Sequence, residues 1–419
     1  MPIHPVFSSR FRDVFLAVLC CGLTVSAMAQ DKPEKNTAVP DPKHMWRIIQ
    51  QQQRTIEALQ AELEQQKQQL VKTRQDLGAQ EENLNIMAEV VETTSTPVSA
   101  TTVGGYGELH YNNTDSGNEV DFHRFVLFVG HDFSDKTRFY SEIELEHAYA
   151  ADGKPGAVEL EQAFIEHRLS EKFTANAGMI LMPVGIINET HEPETFFGVE
   201  RNPIAKHILP TTWREAGLGG HWRVNGQLQA DLLLSSGLDV PTEGANAFLI
   251  RSGRQSVANA ISNKGAITGR VRYRLTNGLQ LAATVHHQQD ITQGQLGIAA
   301  TLLEANAQYR NGPFGLRAVM AQWRLDNKVA ELAPGREKQS GYYLEPSWRF
   351  GERDKLGVFA RYSVWDNKAG SDDQDDAIKQ WNLGMNYWLH PRVVFKLDYQ
   401  DQSGASDNDG INLGVGYSF

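Results

Sequence analysis

Thiols are nearly absent: of 419 residues only Cys20 and Cys21 are cysteines. Both lie in a segment with the grammar of a secretory leader, in which Arg10 and Arg12 precede an apolar stretch from Val14 to Val25 and the small-residue pattern Ala27-Met28-Ala29. A leader over 1–29 leaves a mature chain without disulfides, thiol catalysis or cysteine metal sites. Bulky Leu19 before Cys20 argues against lipoprotein processing. Long apolar runs are also missing. A membrane helix needs about 18 or more consecutive apolar residues, and nothing after the leader supplies them, so any membrane crossing must use strands. Net basic charge is lacking too: the formal charge is -11, which argues against a nucleic-acid surface. Catalytic and metal motifs are weak. His191-Glu192 has no second ligand at helical spacing, and His286 and His287 are neighbours on a strand and face opposite ways. No catalytic constellation, cofactor or metal site is read from the sequence.

What is present falls into two unlike parts. A polar linker, 30–44, carries Pro33, Pro40 and Pro42, and leads to a stretch rich in Gln, Glu, Leu and Lys over 45–92. There Ile49, Ile56, Leu63, Leu70, Leu77 and Leu84 recur every seventh residue. That repeat predicts a coiled coil with these residues at position a. The d positions, Met45, Gln52, Leu59, Gln66, Thr73, Gln80 and Met87, are polar in about half the layers, a pattern that fixes register at some cost in stability. A parallel trimer is the expected assembly. A second linker, 93–101, follows.

From 102 to 419 the period changes to two. In the last segment Ile411, Leu413, Val415, Tyr417 and Phe419 share one face, opposite Asn412, Gly414, Gly416 and Ser418. Sixteen such segments begin near residues 103, 120, 137, 157, 173, 213, 228, 265, 279, 296, 313, 339, 355, 377, 392 and 410. Connections after even-numbered segments are tight, such as Ser134-Asp135-Lys136, Asn225-Gly226-Gln227 and His390-Pro391-Arg392, whereas several after odd-numbered ones are long. An all-β transmembrane barrel of about sixteen antiparallel strands predicts this alternation, with turns in the periplasm and loops outside. Even parity returns both barrel ends to the periplasm, where the coiled coil must lie. Trp222, Tyr273, Tyr309, Trp348, Tyr387 and Trp388 are expected in interfacial girdles facing lipid. A terminal Phe419 fits the aromatic signal read by outer-membrane assembly machinery.

A barrel of this size leaves a water-filled channel unless something narrows it. The segment from Val184 to Thr212 is too long for a plain connector. Its Glu189, His191, Glu192, Glu194, Glu200, Arg201, Lys206 and His207 are expected at a constriction inside the lumen, with Phe196, Phe197, Ile204, Ile208 and Leu209 anchoring it. On the eighth segment Arg270, Arg272 and Arg274 alternate with Val271 and Tyr273, a ladder with rungs roughly 6.6 Å apart that should line the channel. Arg214, Arg124 and Arg138 are further expected lining cations, as are Arg223, Arg349, Arg361 and Lys396. Facing carboxylates are expected from Glu142, Glu144 and Glu146 on the third segment and Glu159 and Glu161 on the fourth.

The segments FYSEIELEHA, VELEQAFIEHRL, AGMILMPVGIINETHEPETFFGVERNP and ILPTTWREAG resemble the phosphate-selective porin O and P family, in particular members with an N-terminal periplasmic coiled coil. The resemblance implies a homotrimer of sixteen-stranded barrels in the outer membrane, a third loop folded inward, and diffusion of small, mostly anionic solutes such as phosphate or carboxylates. The family's selective members carry arginine ladders and a lysine cluster at the constriction; here Arg201, Lys206, Arg214 and the Arg270 row are the basic residues that could serve, and no lysine cluster is evident. The glutamates of the third and fourth segments run against strict phosphate selectivity. Two other classes compete with a channel: an enzyme on a barrel scaffold, expected to show a Ser-His pair near the rim, and a structural tether or adhesin.

Overall fold

The computed structural model describes residues 100–275, 277–371 and 376–419, with five helical positions, Trp46, Gln50, Gln53, Arg54 and Lys67. The leader, the linker 30–44 and the rest of the heptad segment lie outside the described residues, as does the second linker up to residue 99.

Among the described residues sixteen strands form one closed barrel. They are β1 (Thr101–Thr114), β2 (Gly117–Ser134), β3 (Thr137–Glu146), β4 (Val158–Arg168), β5 (Phe173–Leu181), β6 (Arg214–Arg223), β7 (Leu228–Ser235) and β8 (Ala266–Arg274). The second half comprises β9 (Leu279–Gln288), β10 (Ala300–Asn311), β11 (Phe314–Leu325), β12 (Lys338–Phe350), β13 (Leu356–Asp366), β14 (Ile378–His390), β15 (Val393–Gly404) and β16 (Gly410–Ser418). Each strand pairs antiparallel with its chain neighbours, and β16 returns to β1 with Leu109 opposite Val415. Closure removes every free sheet edge, which satisfies the backbone polar groups without water. Phe419 seals the seam by exchanging amide hydrogen bonds with Gly105 at 2.9 and 3.1 Å.

The period-two pattern sets which face is which. On β15, Val394, Lys396, Asp398 and Gln400 are buried inside while Phe395, Leu397 and Tyr399 are exposed on the outside. Val271, Leu281, Val285, Leu303, Met320, Tyr342 and Leu344 extend the exposed apolar surface over neighbouring strands. A closed barrel with its apolar face outward presents that face to lipid. Trp222, Tyr273, Trp348 and Tyr387 belong to this surface. Trp388 does not, and this corrects the expectation. Trp388 is in phase with Gln380, Asn382 and Asn386 on the inward face of β14, and its ring lies beneath Arg349, 3.6 Å away.

One end of the barrel carries tight turns and the other carries the loops, apart from a short β1–β2 turn. The third loop, 182–213, holds α1 (Pro203–His207); a further short helix, α2 (Lys328–Leu332), lies between β11 and β12. The interior is not uniformly polar. Met182, Ile204, Ile208, Trp213, Leu238, Phe248, Ile250 and Trp323 join one buried apolar cluster, so the third loop and the fourth, 236–265, pack together against one side of the inner wall.

Candidate functional site

The third loop is tied at its neck and then along its length. Met182 N–H donates to Trp213 O at 2.9 Å, and Asn188 knots the two ends by donating to Met182 O and Trp213 O and accepting from Trp213 N, all within 2.9 Å. Beyond the knot, Glu189 pairs with Arg270 on β8, and His191 lies 3.3 Å from Glu161 on β4. Ser418 on β16 donates to Glu194, Asn386 on β14 to Phe196 O, and Arg361 on β13 to Phe197 O. Val199 N–H reaches Asp398 on β15 at 2.7 Å, and Glu200 lies 3.0 Å from His110 on β1. In a ring of sixteen strands β1 and β8 are on nearly opposite walls. A segment bonded to both, through Glu200 and Glu189, runs across the lumen.

The rest of the loop is held by shape. Pro203 opens α1, where its missing N–H costs nothing, and Asn202 caps the helix by accepting from Ala205 N at 2.9 Å. Ile204 and Ile208 enter the apolar cluster, Trp323 donates to Ile208 O at 2.9 Å, and His207 stacks flat on Trp365. Burial pushes the His207 imidazole down to about 4, helped by Lys206 and Arg251, so it packs as a neutral ring. Lys206 is exposed, and Glu192 ends the extended stretch before a single 3-10 turn.

The basic residues are placed unevenly. Arg270 is buried and doubly held, by Glu189 and by Asp231 on β7 at 2.7 Å. Arg272 is looser, 3.5 Å from Asp231, and Arg274 is exposed at the turn end beside Gln280. The partners of this row are thus Glu189 and Asp231 rather than the glutamates of β3 and β4. Arg124 is buried against Glu108, 2.5 Å away, and Glu144, 3.8 Å away; Arg214 pairs with Glu159. Arg138 sits exposed at the turn end with Asp132. Glu142 accepts from Gln162, and Glu142, Glu144 and Glu161 are buried, whereas Glu146 and Glu159 are half-buried.

Sequence reasoning missed Asp231, Glu108, Asp398 and Glu345, the last holding Arg361 at 2.6 Å, all single acids on otherwise ordinary strands. It also missed Arg251 and Arg254 on the fourth loop, which donate to the third-loop carbonyls of Lys206, Thr211, Pro210 and Thr212. Only the alternation of acid with apolar neighbours hints at the former. Nothing local signals the latter.

Open space remains on both sides of the crossing loop. Toward the turn end, a cavity of about 400 Å³ is lined by Arg310, Arg317 and Arg349, and one of about 200 Å³ by Arg270, Arg272 and Arg274. The two share Thr195, Gln280, Gln308 and Arg317. Toward the loop end, a cavity of about 220 Å³ gathers Arg124, Arg201, Lys206, Arg214, Arg251 and Arg254 around Glu144, Glu146, Glu159 and Glu200. Burial, with Arg251 and Arg214 adding, pushes Arg254 down to about 10, which leaves it charged at neutral pH. Arg201 Nε and Nη2, Arg214 Nε and Arg254 Nε are buried and have no partner among the described residues.

Residues 237–409 match the family model described as Gram-negative porin. An uncharacterized protein of Aquifex aeolicus (strain VF5) is 28% identical over 352 residues, covering 76% of this chain and 79% of the relative. Among solved structures, an anion-selective porin from Comamonas acidovorans superposes with a TM-score of 0.55 at 15% identity, covering 76% of this chain and 99% of that one. OmpF of Salmonella typhi, solved with daunomycin, gives 0.54 at 15% identity over 76% and 97%. The fold is the porin fold. In this porin-like barrel the crossing loop and the cations around it form the candidate site.

Proposed function

We propose that the chain forms a water-filled diffusion channel in the outer membrane of a Gram-negative cell, constricted by the third loop and passing small anions. The observation that carries this is the unpartnered guanidinium N–H groups of Arg201, Arg214 and Arg254 beside one cavity of the crossed lumen. Buried polar hydrogens without partners cost free energy, about 1–3 kcal/mol each, and a passing carboxylate or phosphate would satisfy them. Arg310, Arg317, Arg349 and the Arg270 row continue the positive lining toward the turn end. Rings of arginine favour anions in aqueous pores. The name of the Comamonas porin, anion-selective, supports the same reading.

In this reading Glu189, His191, Glu194 and Glu200 hold the constriction in place, while Arg201, Lys206 and Arg214 face the permeant. The turn end lies in the periplasm with the heptad segment, which draws three chains together. The test is single-channel recording of the full chain in planar bilayers under a salt gradient, with phosphate, dicarboxylates and a neutral sugar as competitors. We expect a reversal potential of anion-selective sign and block by the anions but not the sugar. A closed membrane, or cation selectivity, refutes the reading.

A further inference from the structure

We propose that Asp121, His123 and His147 form a binding site for a divalent transition-metal ion at the loop end of the lumen. Asp121 Oδ2 lies 3.2 Å from His123 Nδ1 and 2.9 Å from His147 Nδ1, and Oδ1 lies 2.9 Å from the same His147 nitrogen. One ligand atom from each of the three side chains falls within 4.8 Å of the others. A tetrahedral ion with bonds of about 2.0–2.1 Å holds its ligand atoms about 3.3 Å apart, so the cluster needs only a small adjustment to accept one.

The backbone builds this cluster from a local irregularity. In the β1–β2 ladder Glu108 faces Arg124 and His110 faces Asp121, so β2 carries one more residue than β1 between these pairs. Such a bulge re-aims side chains. Here it brings His123 to the lumenal side together with Asp121 and Arg124, and His123 lines the loop-end cavity. His147 follows the last residue of β3 and takes a φ of +52°, unusual without glycine. Its amide donates to His123 O at 3.2 Å, and the two imidazoles meet edge to face with centroids 5.9 Å apart.

Two imidazole nitrogens and one carboxylate select zinc, copper or nickel over calcium or magnesium, which prefer oxygen sets. All three side chains are partly exposed, so an ion can enter, and His123 lines the cavity; three protein ligands leave a fourth position free. Water or a permeant anion would fill that position. Binding replaces the hydrogen bonds to Asp121, with each imidazole keeping its proton on Nε2. An ion here turns a local charge of about -1 into about +1 beside the cationic cavity. It is also linked to the constriction: the His110 ring stacks on His123 at 4.7 Å and lies 3.0 Å from Glu200 of the third loop.

The full chain, purified in detergent without a polyhistidine tag, is titrated with ZnCl2 by calorimetry and with CuCl2 by electron paramagnetic resonance. One ion per chain is expected, with a copper spectrum showing coupling to two nitrogens. Asp121→Asn, His123→Gln and His147→Gln should each weaken zinc binding more than about tenfold. His287→Gln, which alters an imidazole on the outer face of β9, should leave it unchanged. Zinc binding that survives His123→Gln and His147→Gln, or no saturable binding at all, overturns the proposal. A copper spectrum lacking two-nitrogen coupling does the same in the unaltered protein, so a variant that fails to fold does not protect the idea. None of these readouts needs a current, so this site and the channel reading stand or fall separately.

Discussion

Single side chains inside this barrel divide into those that hold the loop and those that remain available to a solute. Arg270 belongs to the first group, because Glu189 and Asp231 already saturate it; Arg272 and Arg274 belong to the second. Replacing Arg272 and Arg274 together with Ala should therefore shift the reversal potential toward the cation side while single-channel current stays steady. Arg270→Ala should instead add current noise by freeing Glu189. An unchanged reversal potential in the double variant would remove the row from selectivity. His191 sets a pH dependence. Burial alone would push its imidazole down, but the Glu161 carboxylate 3.3 Å away and their hydrogen bond outweigh this and hold it above its ordinary value. A raised value means that the clasp contributes fully below about pH 6.5 and is lost as pH rises through the raised value. Open-channel noise should thus grow on the alkaline side in the native chain. In His191→Gln it should be flat with pH, and a native channel equally quiet at pH 6 and pH 9 would count against the clasp.

At the scale of the element, the third loop behaves as a strap with a knotted neck. Asn188 makes three hydrogen bonds there, and Asn188→Ala strands the buried Trp213 N–H, while Met182 O and Trp213 O each keep one backbone donor. A loss of about 1–3 kcal/mol per stranded group is expected, seen as faster hydrogen exchange at Trp213 and its neighbours while the strands stay protected. Deleting residues 188–206 removes the strap itself and should raise single-channel conductance; unaltered current would show that the loop is no constriction. The strands were legible before any of this. Their starts fall within a few residues of the period-two segments, because a wall with lipid on one side and water on the other imposes alternation on every residue. The interior was less legible, for a physical reason. Phe248 and Ile250 of the fourth loop and Ile291 between β9 and β10 are apolar residues in connectors, and they pack in the lumen with third-loop Ile204 and Ile208. Such contacts join residues far apart in sequence and leave no periodic trace. His123 was overlooked because a bulge shifts the face by one residue, and alternation cannot report its own interruption. Trp388 was misplaced because its residue type was weighed above its phase, which it shares with inward Asn382 and Asn386.

For the whole molecule, net charge and local charge point in opposite directions. The chain totals -11, yet the cavities beside the crossing loop carry more arginines than carboxylates, so composition says nothing about the sign of the pore. Lumenal acids are held in ion pairs, as at Glu108, Glu159 and Asp231, or by neutral hydrogen bonds, as at Glu142 and Asp398. Assembly is separable in the same way. Among the described residues all sixteen strands of the closed ring lie within 101–418, and the ring closes through β1 and β16. The heptad segment, with Ile or Leu at six successive a positions and polar residues in about half of its d layers, has the pattern of a helix that chooses partners rather than one that supplies great stability. Removing residues 45–92 should leave a folded barrel with unchanged single-channel conductance, while lowering the temperature at which the proposed trimer separates into monomers on heating in detergent. In the proposed trimer three heptad segments would be joined to three barrels, so their contribution would act as an effective concentration and should be largest at low protein concentration. Equal dissociation temperatures for the two chains at every concentration would detach the heptads from assembly, leaving the barrel walls alone to hold the trimer together.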